Sequence, residues 1–312
     1  MISRRNIRIK VMQTLYTLAS ASTNENPVSS KVSSHILNEK LDRTLDLFII
    51  PILYLIKVAE YAETDASHRA SKFLVTEADK NVNTKISGNQ FILSILANKS
   101  FTERVKKLHL ENSIDEEWVK KLYQELCKSA EYSHYICQEE RNLEAEKNII
   151  RYIWENLMLG NDNFMSSFTD EQNGWEDDGE MIEILMDGLF KHPSKYNFSS
   201  LISAEKLEYA HELLNAVIEK DAFLMGLIQT KLKNWDSERV ALIDILLIKM
   251  GICELLYFPT IPTKVTINEF IDIAKKYSAQ QSAQFVNGVL DNIFKDLVKE
   301  EKINKQDRNS NS

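Results

Sequence analysis

The residues best suited to chemistry stand near the start of the chain. Arg4, Arg5 and Arg8, followed by Lys10, lie in a stretch whose spacing predicts a helix over residues 3–19. Ser3 is placed to cap it, and Ile7, Val11, Leu15 and Leu18 form one apolar stripe. Arg4 and Arg8 fall one turn apart on one face, with Arg5 beside them. Cations in a first turn oppose the helix dipole by roughly 0.3–1 kcal/mol each, so helix stability does not account for them. Free N–H groups at a helix start, joined by guanidinium forks, suit a phosphate. A solvated basic patch, or arginines paired with acids elsewhere in the chain, accounts for the same residues equally well.

Other reactive spacings are weaker. Glu131–His134 and Glu208–His211 each have the Glu-x-x-His spacing that can ligate a di-iron centre on a helix, and His134 and Cys137 are three apart. Glutamate is abundant, however, and no second ligand pair has zinc-finger spacing, so two surface histidines are the expectation. The sequence holds no glycine-rich phosphate loop, nucleophile elbow or His-Glu-x-x-His. No catalytic residue, no cofactor and no metal are therefore expected, and the chain reads as a non-enzyme. Trp175 and Trp235 head apolar segments and are expected to plug turns or core and not to stack on bases.

A second informative segment runs from Pro262 to Asp291. Thr266 and Glu269 have capping-box spacing, and Phe270, Ile271 and Ala274 continue an apolar face toward Lys275 and Lys276. Phe285, Val286, Val289, Leu290 and Ile293 then line a broad stripe. Gly288 within that stripe costs about 1 kcal/mol against alanine, which points to close helix packing there.

The elements that must position these residues are helices. With 44% apolar residues the chain can build a core, while 8 glycines and 5 prolines in 312 residues are too few for the turns of a sheet protein. An all-α fold with more than about 60% helix and no sheet is expected. Residues 24–34 and 75–88 read as loops, and residues 35–72 as helix broken or kinked at Pro51. A plan of helix, bulky turn residue and second helix recurs about every sixty residues around Ile114, Trp175 and Trp235. The apolar segments Val119–Leu126, Met181–Leu189 and Val240–Leu247 follow those turns. The tail from Lys299 is polar and expected to fray.

Formal net charge is −8, yet the first 24 residues hold four cations and no acid, which leaves −12 on the remainder. Residues 170–187 hold eight acids and no Lys or Arg. A basic head on an acidic body suits an anionic partner at one place only. The three cysteines have no framework spacing and read as reduced thiols in a cytoplasmic protein. The basic start followed by Ala19-Ser20-Ala21 imitates a secretion signal, but Gln13, Thr14 and Thr17 interrupt it. No membrane association is expected, since the most apolar run, Val240–Phe258, is broken by Asp244, Lys249 and Glu254.

Taken together, the two segments resemble the NusB family of transcription antitermination factors. The resemblance is carried by Arg4-Arg5-x-x-Arg8 and Gln13-x-Leu15-Tyr16. It continues in Glu254-Leu255, Pro262-x-Lys264-Val265-x-Ile267-Asn268-Glu269, Ala274-Lys275 and Phe285-Val286-Asn287-Gly288-Val289-Leu290-Asp291. It implies NusB-like helical bundles, formed by residues 1–24 and 200–300, with 35–199 as an extended or inserted acidic helical region and 300–312 as a flexible tail. It also implies binding of boxA-type single-stranded RNA together with ribosomal protein NusE, within the transcription elongation complex that serves ribosomal RNA operons. On this resemblance Arg4, Arg5, Arg8 and Lys10 are expected to meet RNA, with Arg4, Arg5 and Arg8 exposed on one patch. Gln13 and Tyr16 are expected to read bases, and Glu254 to face NusE. The chain departs from the family in its length and in Gln280-Gln281, where an acid is common. The competing expectation is a helical protein–protein scaffold without RNA binding, with the acidic region as its working surface.

Overall fold

The computed structural model describes residues 2–21, 30–193, 196–232 and 240–305. The described residues are 79% helical, with no strand among them. In chain order the helices are α1 (Arg4–Ala21), α2 (Ser30–Ala70), α3 (Glu77–Lys80), α4 (Gln90–Leu96), α5 (Lys99–Leu108), α6 (Glu116–Lys128), α7 (Ala130–Cys137) and α8 (Leu143–Tyr152). They continue with α9 (Asp162–Glu171), α10 (Trp175–Lys191), α11 (Ala204–Glu219), α12 (Asp221–Gln229), α13 (Leu242–Tyr257), α14 (Thr263–Tyr277) and α15 (Ser282–Lys299). The fold divides into two compact units, one of residues 42–201 and one joining 2–41 to 202–312.

The first unit is rich in aromatic packing. Tyr54 meets Phe164 edge-on at 5.3 Å, and Phe168 meets Trp175 edge-on at 5.1 Å. Its helix ends follow from local chemistry. Asp115 accepts from the Glu117 amide at 2.8 Å to start α6, Glu116 and Glu117 fill the first turn, and Lys128 closes the last. Of the break or kink expected at Pro51, the break does not occur: α2 runs as one helix through it. An interior proline costs about 3 kcal/mol. Phe48, Ile49, Ile52, Leu53 and Tyr54 around it are buried, each contributing about 1.5–3 kcal/mol, so packing outweighs the lost bond. The segment 75–88 is not wholly loop either: Thr76 and Asp79 form a capping box that starts α3, and Lys85–Gly88 forms a 3₁₀ turn. Residues 30–34 belong to α2 and not to a loop, whereas 24–29 lie outside the described residues. Of the repeat's turn residues, Ile114 precedes α6, Trp175 is the first residue of α10 and is buried, and Trp235 lies outside the described residues.

The second unit is organised around α13. Every residue of this helix from Leu246 to Leu255 is buried, and α1, α11, α12, α14 and α15 all pack on it. A helix apolar all round is a core helix in a water-soluble bundle or a membrane span. No helix among the described residues is long and apolar enough to cross a membrane, and α13 is enclosed by its five neighbours. Close approach occurs at Gly251, where a Cβ would stand 2.8 Å from Leu290 Cδ2 and 3.4 Å from Phe270 Cδ2. The expectation of close packing at Gly288 is corrected: that glycine is exposed, with nothing within 4 Å of an added Cβ. The tail does not fray at once. Lys305 Nζ donates to the carbonyls of Glu254 and Phe258 at 2.8 and 2.9 Å, satisfying the end of α13. Residues 306–312 lie outside the described residues.

Candidate nucleic-acid interface

Helix α1 begins as its sequence requires. Ser3 Oγ accepts from the Asn6 amide at 3.2 Å, an N-cap bond to the third helical residue. Ile7, Val11, Leu15 and Leu18 are buried, which fixes the rotation of the helix and so the direction of its arginines.

The arginines do not form one exposed patch. Arg8 is 2% exposed, and the expectation that it stands on the surface is corrected. Its Nε and Nη2 donate to Glu254 Oε2 and Oε1 at 2.8 and 2.7 Å, a two-pronged pairing, and Nη1 reaches Glu269 Oε2 at 3.3 Å. The guanidinium lies between the rings of Tyr209 and Phe270, 5.8 and 5.7 Å from their centroids. Rotation explains the burial: Arg8 lies one residue beyond Ile7 and three before Val11, on the flank that faces α13.

Glu254 is fully buried, so its expected place on a partner-facing surface is corrected as well. Besides Arg8, it accepts from Tyr209 Oη and Thr266 Oγ1, each at 2.7 Å. Each carboxylate oxygen thus has two donors, which a buried ion pair needs to offset desolvation. Burial alone would raise the Glu254 pKa, but the bonds from Arg8, Tyr209 and Thr266 outweigh it and hold the group below the ordinary glutamate value. Burial likewise opposes the charge on Arg8, and the bond to Glu254 leads the effects that keep it above the ordinary arginine value. Burial, with Glu254 beside it, keeps the Tyr209 hydroxyl protonated and donating.

The capping box expected at Thr266 and Glu269 is absent. Helix α14 begins three residues earlier at Thr263, with Pro262 before it. Residues one turn apart on one face serve the charge network instead: Thr266 holds Glu254, and Glu269 holds Arg5 and Arg8.

Arg4 and Arg5 remain outermost. Arg5, with its side chain 47% exposed, donates to Glu269 at 3.0 and 2.9 Å and to Asp272 at 3.1 Å. Arg4 pairs with exposed Glu205 at 2.6 Å. Of the other expected contacts, Lys10 is only 6% exposed, which corrects its expected place on the surface; it lies on the opposite flank of the Ile7–Val11 stripe from Arg8. Gln13 is half-buried, and Tyr16 is exposed at 44%. Glu205, Tyr209, Thr266, Glu269 and Asp272 were not singled out as parts of this site by the sequence, because they reach it only across long separations. Among the described residues no group of His, Cys, Asp and Glu could hold a metal ion.

The NusB family model matches residues 174–295, which takes in α10, α11 to α14 and most of α15. The chain is 38% identical to the transcription antitermination protein NusB of Geotalea daltonii over 100 residues, 32% of this chain and 69% of the relative. It is 41% identical to the protein of the same name in Geotalea uraniireducens over 90 residues, covering 29% of this chain and 62% of the relative. With that of Methylacidiphilum infernorum the identity is 40% over 101 residues, 32% and 70% of the two chains. No solved structure matches.

Proposed function

Because the chain belongs to the NusB family, we propose that it is a cytoplasmic, non-catalytic transcription antitermination factor that binds boxA-type single-stranded RNA together with ribosomal protein NusE. The unit that joins residues 2–41 to 202–312 is the RNA-binding core in this reading, and residues 42–201 are its elaboration. One observation carries the RNA assignment: Arg4 and Arg5 stand side by side, outermost at the start of a capped helix. Two guanidinium forks at a helix N-terminus suit successive phosphates of a flexible strand. Tyr16, exposed three turns further along the same helix, offers a ring on which a base can stack, and Gln13 an amide for a base edge. Glu254 serves any NusE surface indirectly, by fixing α13 from within.

The test is the anisotropy of a labelled boxA-type RNA, with and without NusE, at about 50 and about 200 mM salt. The wild type binds, and binding tightens with NusE. Arg4→Ala with Arg5→Ala weakens binding on every RNA sequence and lowers the log–log salt slope by about 1.4, the value for two single-strand phosphate contacts. Equal binding by wild type and double variant overturns the assignment. A second reading draws on a specific observation: both outer arginines are already paired with carboxylates of the same unit. A helical protein–protein scaffold without RNA affinity would have the same pairs, and absence of RNA binding by the wild type with NusE present favours it.

A further inference from the structure

The pairing of Arg5 has a property that ordinary surface ion pairs lack. Each carboxylate that holds it also has a second cation in place. Asp272 accepts from Lys275 Nζ at 2.9 Å, one turn along α14, and Glu269 accepts from Arg8 Nη1 at 3.3 Å. Arg5 is the exposed member of this set, whereas Arg8 is locked inside by Glu254. If Arg5 swings outward, Asp272 keeps Lys275 and Glu269 keeps Arg8. No carboxylate is orphaned, so the usual cost of breaking one side of an ion pair does not arise.

The local charge balance gives this arrangement a consequence. Arg4, Arg5, Arg8 and Lys275 face Glu205, Glu254, Glu269 and Asp272, so the network is formally neutral. A neutral cluster on a body of net negative charge exerts little long-range attraction on a phosphate. Affinity must come from exchange at contact, with a phosphate taking the place of a carboxylate on Arg5.

We propose that Arg5 is a transferable arginine, held in the free protein by Glu269 and Asp272 and released to an RNA phosphate, with Lys275 and Arg8 standing in behind it. This rests on the RNA-binding reading above and adds its regulation: Asp272 and Glu269 set the affinity by competing with RNA. Arg8 is a positioning residue, which keeps a donor on Glu269 after Arg5 has left.

The experiment compares Asp272→Asn with Asp291→Asn. Asp291 pairs with Lys295 on α15, so its variant removes the same charge from a pair that does not involve Arg5. Asp272→Asn tightens binding of labelled boxA-type RNA by about two- to fivefold, the range of a partly exposed pair, and Asp291→Asn changes it by less. Equal effects from the two variants overturn the latch, because bulk charge then explains both. Side-chain NMR of the arginine Nε–H groups supplies an independent reading. On RNA addition the Arg5 signal shifts while that of Arg8 keeps its position and its protection from exchange. Movement of both signals, or of neither while RNA is bound, also overturns it. Absence of RNA binding by the wild type and both variants refutes the RNA reading itself, whereas binding with equal effects from the two variants refutes the latch alone.

Discussion

Replacing Arg8 by alanine leaves the Glu254 carboxylate fully buried with only Tyr209 and Thr266 as donors. Two charge-assisted bonds disappear, each contributing about 1.5–3 kcal/mol. Breaking one side of a buried pair costs about 3–5 kcal/mol by the same logic, a large part of the stability of an ordinary domain. Arg8→Ala should therefore lose about 3–5 kcal/mol in urea unfolding followed by circular dichroism. Arg8→Met combined with Glu254→Gln removes both charges, fills the volume, and leaves an amide oxygen for one of the two hydroxyls. The double variant should recover more than half of the loss, and the double-mutant cycle should show coupling above about 2 kcal/mol. A loss below about 1 kcal/mol for Arg8→Ala would show that water reaches the pair, and the account of Arg8 as a core residue would fall.

Two further predictions concern the same unit. Gly251→Ala drives a Cβ against Leu290 and Phe270 and should cost about 1–3 kcal/mol, whereas Gly288→Ala meets nothing and should be neutral or stabilising by up to about 1 kcal/mol; thermal melts of the pair decide. The Glu254 pKa is depressed in the folded state, so its contribution is fully present above the unfolded value of about 4.3 and is lost as pH falls through the folded value. Acid titration should accordingly destabilise the wild type more steeply below about pH 4 than the Arg8→Met, Glu254→Gln variant, and coincident curves would contradict this.

Much of the helical framework was legible because it depends on neighbours in sequence. The cap at Ser3 and the stripe Ile7, Val11, Leu15 and Leu18 are both local patterns, and both are present. What the arginines touch was not legible, since Glu254, Glu205 and Glu269 lie 201 to 264 residues away. The sequence allowed pairing with the acidic body but could not say which arginine would be buried by it. Thr266 and Glu269 illustrate a different ambiguity. The three-residue spacing that makes a capping box also puts two side chains on one helix face, and only tertiary packing decides between these uses. Gly288 and Gly251 were distinguishable in principle. Gly288 shares its face with exposed Gln284 and Asn292, whereas Gly251 lies within the run Leu246–Leu255, buried at every position. Pro51 misled because a propensity penalty was weighed without the burial that offsets it.

The discontinuous unit has a consequence for biosynthesis. Residues 42–201 form an uninterrupted stretch, so everything their unit needs emerges from the ribosome in one piece. Arg8 has to wait for Glu254, 246 residues later, which at roughly 5–20 residues per second is about 10–50 s. For most of that interval, until Glu205 is made, α1 carries its arginines with none of the carboxylates that later pair with them. The nascent chain is thus at its most anion-seeking before its own C-terminal third exists, and the synthesis of α13 and α14 is the event that quiets it.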